Sequence, residues 1–436
     1  MGTISGRGPV RIRACFSASA LAVSLLLTGA MAGCGLVAEQ DGATARHGTS
    51  ASAGAGPDPA RDSSSGPAAA ATPTPQPTPT PTPTPGKGPA CPVLRCTSVL
   101  VTGDMLVHAQ LWQQAQQDAA AAGKPGMDFV PLLEGQRRYI NNSDLALCHL
   151  ETPVSGPDGP FSAYPSFNVP PQIITASKEV GYHACTTGSN HTIDRGTDGL
   201  LRTLDTLDAA GLKHTGSYRT ETESRGILIM QTAAAKIAVI QATYGLNGLV
   251  PDHPWQVDML DAPAMIAKAE KARAEGADIV LAAMHAGDEY SSEPNAQQQE
   301  VAYALAESGQ FNLVYGHHAH AVQPIESYKG TWIVYGLGNG ITELSPWYPV
   351  NNEGLLVRVQ FGQDVSGRWS ATDLAWAPSV MVPVPYRWCS VAADSPQGPC
   401  VDPEADAATR QRTIGVVESR GAAAAGAHEL LVTREP

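Results

Sequence analysis

The stretch Leu313-Val-Tyr-Gly-His-His-Ala-His320 places three histidines directly after a short apolar run. A run of this length bounded by glycine predicts a buried strand, so the histidines are expected in the loop at its carboxyl end. Three imidazoles in one such loop are difficult to explain by packing alone, although His318 by itself also fits a purely structural hydrogen bond. His317 and His320 therefore predict a metal site at the end of a strand.

From about residue 91 onwards, the chain alternates short apolar runs with longer helical segments. This alternation favours an α/β layered sandwich, with mixed β-sheets flanked by helices. The expected strands are Ser98–Thr102, Leu145–Leu150, Ala184–Thr187, Ile237–Ala242, Ile279–Met284 and Leu313–Tyr315. The expected helices are Thr197–Ala210 and Ala262–Glu275, and the later hairpin strands are Gln323–Tyr328, Thr331–Tyr335 and Leu355–Phe361.

Polar residues able to bind metal follow several of these strands. They are Asp104 and His108, Glu151, Asn190 with His191 and Asp194, and His285. Because loops at the carboxyl ends of strands converge on one crevice of an open α/β sheet, these residues are expected to share a site. Four other histidines are interpreted as ordinary strand or loop positions: His149, His183, His214 and His253.

The donor set of this expected site combines carboxylate, amide oxygen and imidazole. Such a set suits divalent ions, with Zn, Mn and Fe as candidates. Two ions about 3.5–4 Å apart would clamp a phosphoryl group or polarise a carbonyl group while activating water. We therefore expect divalent metal ions as cofactors, and the size of the cluster is compatible with a pair.

The first 33 residues are expected to form a bacterial export signal. Arg7, Arg11 and Arg13 flank an apolar run that is too short for a membrane span. The residues before Cys34 resemble a lipobox, so lipidation of Cys34 would hold the protein on the outer face of the cell membrane. The alternative is an ordinary cleaved signal followed by an incidental cysteine.

Residues 34–90 are expected to be a spacer, because they are rich in Ala, Gly and Ser and then become a Thr-Pro repeat. Such a repeat favours an extended chain of about 3.1 Å per residue, and a mucin-like glycosylated tract is compatible with the same pattern. The folded domain is expected over residues 91–400. Residues 401–436 are Ala-rich and weakly patterned, and are expected to be a tail without an assigned function.

The net charge of −13 argues against nucleic acid as a partner, since phosphate binding requires a clustered basic surface. It leaves an anionic substrate open, because a bound metal reverses the local field. Of the eight cysteines, Cys15 falls in the signal and Cys34 is the expected anchor. The remaining six suit an oxidising exterior, and the pairs Cys91/Cys96, Cys148/Cys185 and Cys389/Cys400 are plausible among several connectivities.

Six motifs occur in an order that identifies a family resemblance. They are Gly103-Asp104, Leu150-Glu151, Asn190-His-x-x-Asp194-x-Gly196, His285-x-Gly-x-Glu289-Tyr290, Gly316-His-His-x-His320 and Tyr335-Gly-Leu-Gly-Asn339. The set covers roughly Ser98 to Gly340 and resembles the CapA family of capsule and poly-γ-glutamate synthesis proteins. It resembles the calcineurin-like metallophosphoesterases more distantly, which implies their layered α/β fold. Ser189, Ala286, Ala319 and Gly340 depart from the family pattern, and these changes bear on packing around the cleft.

The resemblance also implies roles for individual residues. The implied metal ligands are Asp104, Glu151, Asn190, His285, His317 and His320. His191 is then free to act as general acid, with Asp194 orienting it. Glu289 and Tyr290 are candidates for contacting substrate, whereas His108 is either an auxiliary ligand or a substrate contact. Asn339 fits either the site or a tight glycine-rich turn.

Two functions compete at this point. The first is a metal-dependent hydrolase or transferase outside the membrane, acting on a phosphoester or on an amide-linked anionic polymer. The second is a non-catalytic accessory that binds capsule polymer for a membrane synthase, which would make a synthase complex its partner. Because fold alone does not determine activity, the sequence leaves both open. A plain binding module is disfavoured, since it would not require so many histidines.

Overall fold

The computed structural model describes residues 87–344, 348–395 and 398–432. The expected signal peptide, the expected lipidation site Cys34 and residues 34–86 of the expected spacer lie outside the described residues. None of the helices within the described ranges is long and apolar enough to cross a membrane.

Fifteen β-strands lie within the described residues. In chain order they are β1 (Arg95–Met105), β2 (Leu145–Leu150), β3 (Ala184–Thr186), β4 (Lys213–Thr215), β5 (Leu228–Gln231), β6 (Lys236–Thr243), β7 (Ile279–Ala286), β8 (Leu313–His318), β9 (Ile325–Tyr328), β10 (Thr331–Val334), β11 (Asn339–Ile341), β12 (Glu353–Gln363), β13 (Trp369–Val382), β14 (Arg387–Ser390) and β15 (His428–Glu429).

The α-helices of the same ranges connect or flank these strands. They are α1 (Ala109–Ala121), α2 (Val130–Leu133), α3 (Arg137–Asn141), α4 (Gln172–Val180), α5 (Gly196–Ala209), α6 (Glu221–Ser224), α7 (Ala262–Ala274), α8 (Ala296–Glu307) and α9 (Pro403–Val417). Short 3₁₀ turns cover Glu134–Gln136, Pro349–Asn352 and Glu418–Arg420.

The strands form two mixed sheets. Within the described part of the chain, the larger sheet has nine strands in the order β14-β13-β12-β1-β2-β3-β4, with β11 beside β1 and β15 beside β13. The smaller has six described strands in the order β5-β6-β7-β8-β10-β9. Strands β1 to β4 run parallel to one another, as do β6, β7, β8 and β10. Parallel neighbours bring their carboxyl ends to the same edge of each sheet.

The alternation of side chains along each strand builds the layers. In β1, Val99 and Val101 face an apolar layer that they share with Val239 of β6 and Leu281 of β7, whereas Leu100 faces the helices on the other side. Full burial of each such side chain contributes about 1.5–3 kcal/mol to stability. The layer between the sheets therefore holds the two sheets together.

Helices cover the outer faces of both sheets. Helices α1 to α5 pack on the larger sheet, and α7 and α8 pack on the smaller one. The order of layers is thus helix, sheet, sheet, helix. This confirms the expected α/β sandwich, and every strand and helix expected from the sequence is present with small shifts of its ends.

The segment after residue 400 was expected to be a weakly patterned tail, but it forms regular secondary structure. It forms α9, and β15 pairs in parallel with β13. The buried face of α9 consists of Thr409, Thr413 and Val417, one turn apart, and Leu430 beyond β15 is also buried. A face made largely of threonine gives a weak hydrophobic pattern, so this helix was not predicted from the sequence.

Three disulfides occur among the described cysteines, and they are the pairs considered plausible from the sequence. They join Cys91 to Cys96, Cys148 to Cys185 and Cys389 to Cys400. The second links β2 to β3 at directly paired positions, next to the ends where both strands enter the functional loops.

Near its end, β1 approaches the chain before β12 at backbone contact distance. A Cβ atom on Gly103 would lie 2.5 Å from the carbonyl oxygen of Gly338 and 2.7 Å from the amide nitrogen of Gly340. The amide of Asp104 donates to that same carbonyl of Gly338 at 2.9 Å. Glycine at Gly103 and Gly340 therefore permits the approach that positions Asp104, and a larger side chain at Gly340 would displace the loop.

We predict that Gly103→Ala destabilises the protein by about 1–3 kcal/mol, because the new methyl group meets backbone atoms that cannot move independently. The matched control is Gly415→Ala on the exposed face of α9, where a Cβ has open space. That control is expected to stabilise the helix by up to about 1 kcal/mol. Denaturant unfolding measures both changes, and equal effects of the two substitutions would contradict the close-approach explanation.

Candidate metal centre

Asp104, on β1, receives hydrogen bonds from the histidine loop of β8 in the other sheet. Its Oδ1 lies 2.6 Å from Nδ1 of His317, and its Oδ2 accepts from the backbone N–H of His318 at 3.0 Å. Nδ1 of His320 lies 3.2 Å from Oδ2 of Asp104 and 3.0 Å from Oδ1 of Asn339. Asn339 thus belongs to the site as a residue that positions His320.

The loop that carries these histidines has an unusual backbone. His318 and His320 adopt φ values of 87° and 49°. Such left-handed conformations cost non-glycine residues of order 1–3 kcal/mol each, and they concentrate at functional sites. The hydrogen bonds to Asp104 help to stabilise this loop, so the carboxylate has a structural role as well as a place in the donor set.

Glu151 follows β2 and lies fully within the protein. Its Oε1 is 3.5 Å from Nε2 of His320 and 3.9 Å from Nε2 of His285. Neither carboxylate oxygen has a hydrogen-bond partner among the described residues. A buried carboxylate without such a partner is costly unless a cation compensates it.

Asn190 and His285 come together from different sheets. Oδ1 of Asn190 lies 2.8 Å from Nε2 of His285, and the Asn190 amide nitrogen donates to Oδ1 of Asn247 at 3.2 Å. The turn is held by Ser189, whose hydroxyl donates to the backbone carbonyl of Glu151 at 2.5 Å. Ser189 therefore connects the Asn190 turn to the Glu151 loop.

The structure corrects the prediction that His149 occupies an ordinary strand position. Its Nε2 lies 2.9 Å from Nδ1 of His285, and its ring stacks on that of His317 with centroids 4.1 Å apart. The residue is completely buried. The sequence contained a signal for this position that was overlooked. Side chains alternate along β2, so His149 lies on the face between the two sheets.

The possible ligand atoms form three overlapping groups within the described chain. In each group the ligand atoms lie within 4.8 Å of one another. The groups are Asp104 with His149 and His317, Glu151 with His285 and His318, and Asp104 with Glu151 and His320. Five of the six expected ligands lie in these groups together with His149 and His318, and the sixth, Asn190, contacts His285.

His191 and Asp194 form a pair beside this cluster. Nδ1 of His191 lies 2.8 Å from Oδ2 of Asp194, which also accepts from the backbone N–H of Phe167 at 2.8 Å. The Phe167 ring contacts the His191 ring edge-on, with centroids 4.8 Å apart. His191 is therefore held in one orientation by a carboxylate and an aromatic wall.

The expected substrate contacts lie around the cluster. His108 precedes α1 and packs against Phe167 at 5.5 Å, and burial lowers its pKa to about 4. Glu289 is exposed, and its charge contributes to raising the pKa of His320. Tyr290 is 49% exposed, and its ring lies 6.2 Å from that of His320.

Tyr244 is a further aromatic residue at the site that was not predicted from the sequence. Its ring lies 4.4 Å from that of His318, and its backbone N–H donates to the carbonyl of His285 at 2.9 Å. The side chain is 38% exposed, so it can contact a ligand. Its position directly after β6 was the available signal, because the other site residues also follow strands.

The loop that carries Glu289 and Tyr290 is anchored by two buried glutamines. Gln298 caps α8 by accepting from the backbone N–H of Asn295, and its amide donates to Oε1 of Gln323 at 2.7 Å. Gln323 in turn donates to the carbonyl of Ser291 at 3.0 Å. These bonds fix the part of the loop between Tyr290 and α8.

Comparison with known proteins agrees with this site. A family described as "Bacterial capsule synthesis protein PGA_cap" matches residues 98–343, which is more than half of the 436 residues. The chain belongs to this family. The match spans the candidate site from Asp104 to Asn339 and confirms the resemblance to CapA proteins.

Individual relatives give the extent of the similarity. This PGA_cap family member is 27% identical over 224 residues to PGA biosynthesis protein CapA of Bacillus subtilis (strain 168), covering 49% of this chain and 56% of that one. It is 26% identical over 210 residues to capsule biosynthesis protein CapA of Bacillus anthracis, covering 46% and 51%. The chain thus spans about half the length of the curated relatives it matches.

Among solved structures, the calcineurin-like phosphoesterase YfkN from Bacillus subtilis aligns with a TM-score of 0.42 and 17% sequence identity. The alignment covers 73% of this chain and 96% of that chain.

Burial and mutual charge determine the protonation of the acidic and basic groups in this PGA_cap site. Burial alone would raise the pKa of Asp104, but hydrogen bonds from His317 and His320 hold it well below its usual range. Burial raises the pKa of Glu151, and the charge of Asp104 adds to this effect while that of His320 opposes it. Burial opposes protonation of His320, yet the charges of Glu151 and Asp104 raise its pKa to about 9.

Burial favours the neutral form of three other histidines of the cluster. Burial lowers the pKa of His149 and of His285 well below the usual value, and neighbouring histidines reinforce the effect. Burial also lowers the pKa of His318 to about 3. Neutral imidazole is the form that binds metal ions, so these groups are in the appropriate state.

Unpaired buried atoms show that the residues fit a cation. Nε2 of His317, Nδ1 of His318 and both oxygens of Glu151 have no hydrogen-bond partner within the described ranges. Leaving such groups unpaired costs about 1–3 kcal/mol each, and more for a charged group. A divalent ion bound by imidazole and carboxylate would satisfy them together. The PGA_cap site therefore fits divalent metal binding.

We predict that adding Mn²⁺, Fe²⁺ or Zn²⁺ at a hundredfold excess over the dissociation constant stabilises the purified protein by about 2.7 kcal/mol. The double variant His317→Ala, His320→Ala is expected to lose this stabilisation and the bound metal. The control is His253→Ala, since His253 is exposed and stacks on Trp255. Thermal unfolding and elemental analysis measure the effects, and equal metal content in both variants would contradict the assignment.

Proposed function

We propose that this PGA_cap family member is a metal-dependent hydrolase or transferase that works outside the cell membrane in capsule or poly-γ-glutamate synthesis. Its substrate would be a phosphoester or an amide-linked anionic polymer. The observation that carries the proposal is Glu151 of the larger sheet, a buried carboxylate whose oxygens have no hydrogen-bond partner among the described residues and lie beside the imidazoles of His285 and His320 from the smaller sheet. Such a site has no evident structural purpose without a bound cation.

The proposed cofactor is one or two ions of Mn, Fe or Zn. When bound, a divalent ion would polarise a phosphoryl or carbonyl group and lower the pKa of water. The residues that would hold it are Asp104, Glu151, Asn190, His285, His317 and His320, with His318 as a further candidate. These residues supply mixed nitrogen and oxygen donors, which suit each of the three metals.

His191 is the proposed general acid. Because its Nδ1 is bonded to Asp194, its Nε2 remains free to donate a proton to a leaving group. Burial disfavours protonation, but the hydrogen bond to Asp194 together with the charges of Glu151 and Asp194 outweighs it and raises the pKa of His191 above its usual value. His191 therefore keeps its proton at a higher pH than an isolated histidine, as a general acid working near neutrality requires.

Substrate binding is assigned to the groups around the cluster. Tyr290 and Tyr244 are partly exposed next to His320 and His318, and each offers a phenol to an oxygen of the substrate. Glu289 and His108 are the further proposed contacts. The net charge of −13 would repel a polyanion, so bound cations would supply the attraction that brings such a substrate to the cleft.

The proposed location is the outer face of a bacterial cell membrane, with Cys34 as the lipid anchor and the Thr-Pro tract as the spacer. Three disulfides among the described cysteines support an oxidising compartment. A capsule synthase complex in the membrane is the proposed partner.

The alternative function is a non-catalytic accessory that binds polymer for a synthase. The family description favours it in one respect, because it names capsule synthesis and not hydrolysis. In this function, the metal would bind the anionic polymer without cleaving it.

For the hydrolase, we predict that His191→Gln lowers turnover about 10²–10⁴-fold, because the proton donor to the leaving group is lost. The metal content should remain that of the wild type, since the substitution leaves every proposed ligand in place. Turnover is measured with phosphodiesters and γ-glutamyl polymers, and His253→Gln serves as the control. Unchanged turnover in the His191→Gln variant would exclude this residue as general acid.

For the accessory function, we predict that the wild-type protein binds γ-glutamyl polymer without cleaving it and that a chelator abolishes the binding. Restoring the metal should restore binding, because the cation supplies the attraction to a polyanion. Sedimentation with polymer of known length measures the bound fraction. Binding that persists in chelator would reject a metal-mediated contact in both proposed functions.

A further inference from the structure

A continuous line of hydrogen-bond contacts runs from β3 through β2 to the candidate metal centre. Oγ1 of Thr186 lies 2.8 Å from Nδ1 of His149, and Nε2 of His149 lies 2.9 Å from Nδ1 of His285. Nε2 of His285 then lies 2.8 Å from Oδ1 of Asn190. All four side chains are buried.

The line has two self-consistent directions, because each ring nitrogen on it can donate or accept. Metal binding through Nε2 of His285 requires the direction in which Thr186 accepts from His149, since that nitrogen must then be unprotonated. At one end, the hydroxyl of Thr186 has the carbonyl of Cys148 as an acceptor at 3.4 Å, so Thr186 can accept from Nδ1 of His149 while it donates to Cys148. Nε2 of His149 then carries a lone pair and accepts from Nδ1–H of His285. In this arrangement each donor on the line has an acceptor.

At the other end, this direction leaves two lone pairs facing each other. In this direction Nε2 of His285 is unprotonated, and the Asn190 oxygen faces it because the Asn190 amide nitrogen donates to Asn247. Two acceptors 2.8 Å apart repel each other unless a cation binds both.

We propose that His149 is a positioning residue that holds His285 in the tautomer with its proton on Nδ1, so that Nε2 is presented to a divalent metal. This inference rests on the proposed metal centre. Hydrogen bonds to the distal nitrogen of a ligating histidine commonly set its tautomer and orientation. His149 differs from a ligand because both of its ring nitrogens already have partners.

The strand pairing and a covalent bond keep His149 in place. His149 is paired with Thr186 across β2 and β3, and the preceding pair in the same register is Cys148 with Cys185, which is a disulfide. The His149 ring also stacks on His317, whose Nδ1 is bonded to Asp104. One residue thus contacts the two ligating histidines that come from β7 and β8.

The test compares two substitutions in the full chain. His149→Gln keeps an acceptor at the distance of Nε2, whereas His149→Leu removes it. We expect His149→Leu to weaken metal binding about 10–100-fold and His149→Gln to restore most of the affinity. Competition with a chromophoric chelator measures the dissociation constant, and thermal unfolding of the metal-free proteins checks that both variants fold.

A second measurement reads the tautomer directly. Nitrogen-15 NMR of histidine-labelled protein loaded with Zn²⁺ should show the proton of His285 on Nδ1 in the wild type. Thr186→Val, which removes the hydroxyl while keeping a β-branched side chain, should lower metal affinity in the same direction as His149→Leu. Equal affinity of the Gln and Leu variants, or a proton on Nε2 of His285, would overturn the proposal.

The outcomes also separate this inference from the proposed function. Metal binding with the expected tautomer but without turnover of any substrate would uphold the positioning role and count against the hydrolase alone. Absence of metal binding in the folded wild type would overturn both.

Discussion

The hydrogen bonds of Asp104 connect the two sheets where their strand ends meet. The carboxylate belongs to the larger sheet, and its partners His317, His318 and His320 belong to the smaller one. Apolar packing between the sheets is not directional, so it cannot by itself determine how the two edges align. Charged hydrogen bonds with defined geometry supply that alignment. The donor set therefore exists only when the sandwich is correctly assembled.

Much of the fold could be predicted because the buried strands are short apolar runs that end in polar residues. The same rule located the metal-binding candidates, since a carboxyl-end loop is where a polar side chain can leave the core. It failed for His149, which lies inside β2 and not after it. Alternation along β2 places His149 on the same face as Leu147, which packs between the sheets. A rule that considers only the residues after strand ends therefore misses a histidine on that face.

Other parts of the structure depend on contacts that sequence patterns do not contain. Helix α9 buries threonines, and β15 is only two residues long. The role of Asn339 is fixed by its distance to His320, which lies 19 positions earlier in the chain. From the sequence, this residue fitted either a turn or the site, and its contacts with His320 and with the carbonyl of Asn351 give it both functions.

The order of strands in the larger sheet has a consequence for how the chain folds. β1 is central in that sheet, and Val99 in it pairs with Val359 of β12. Strand β15, from still later in the sequence, pairs in parallel with β13. Contacts between residues so distant in sequence form slowly, because a long loop must close before they yield any stabilisation. The larger sheet is consequently completed on the β12 side of β1 only after the second half of the chain has been synthesised.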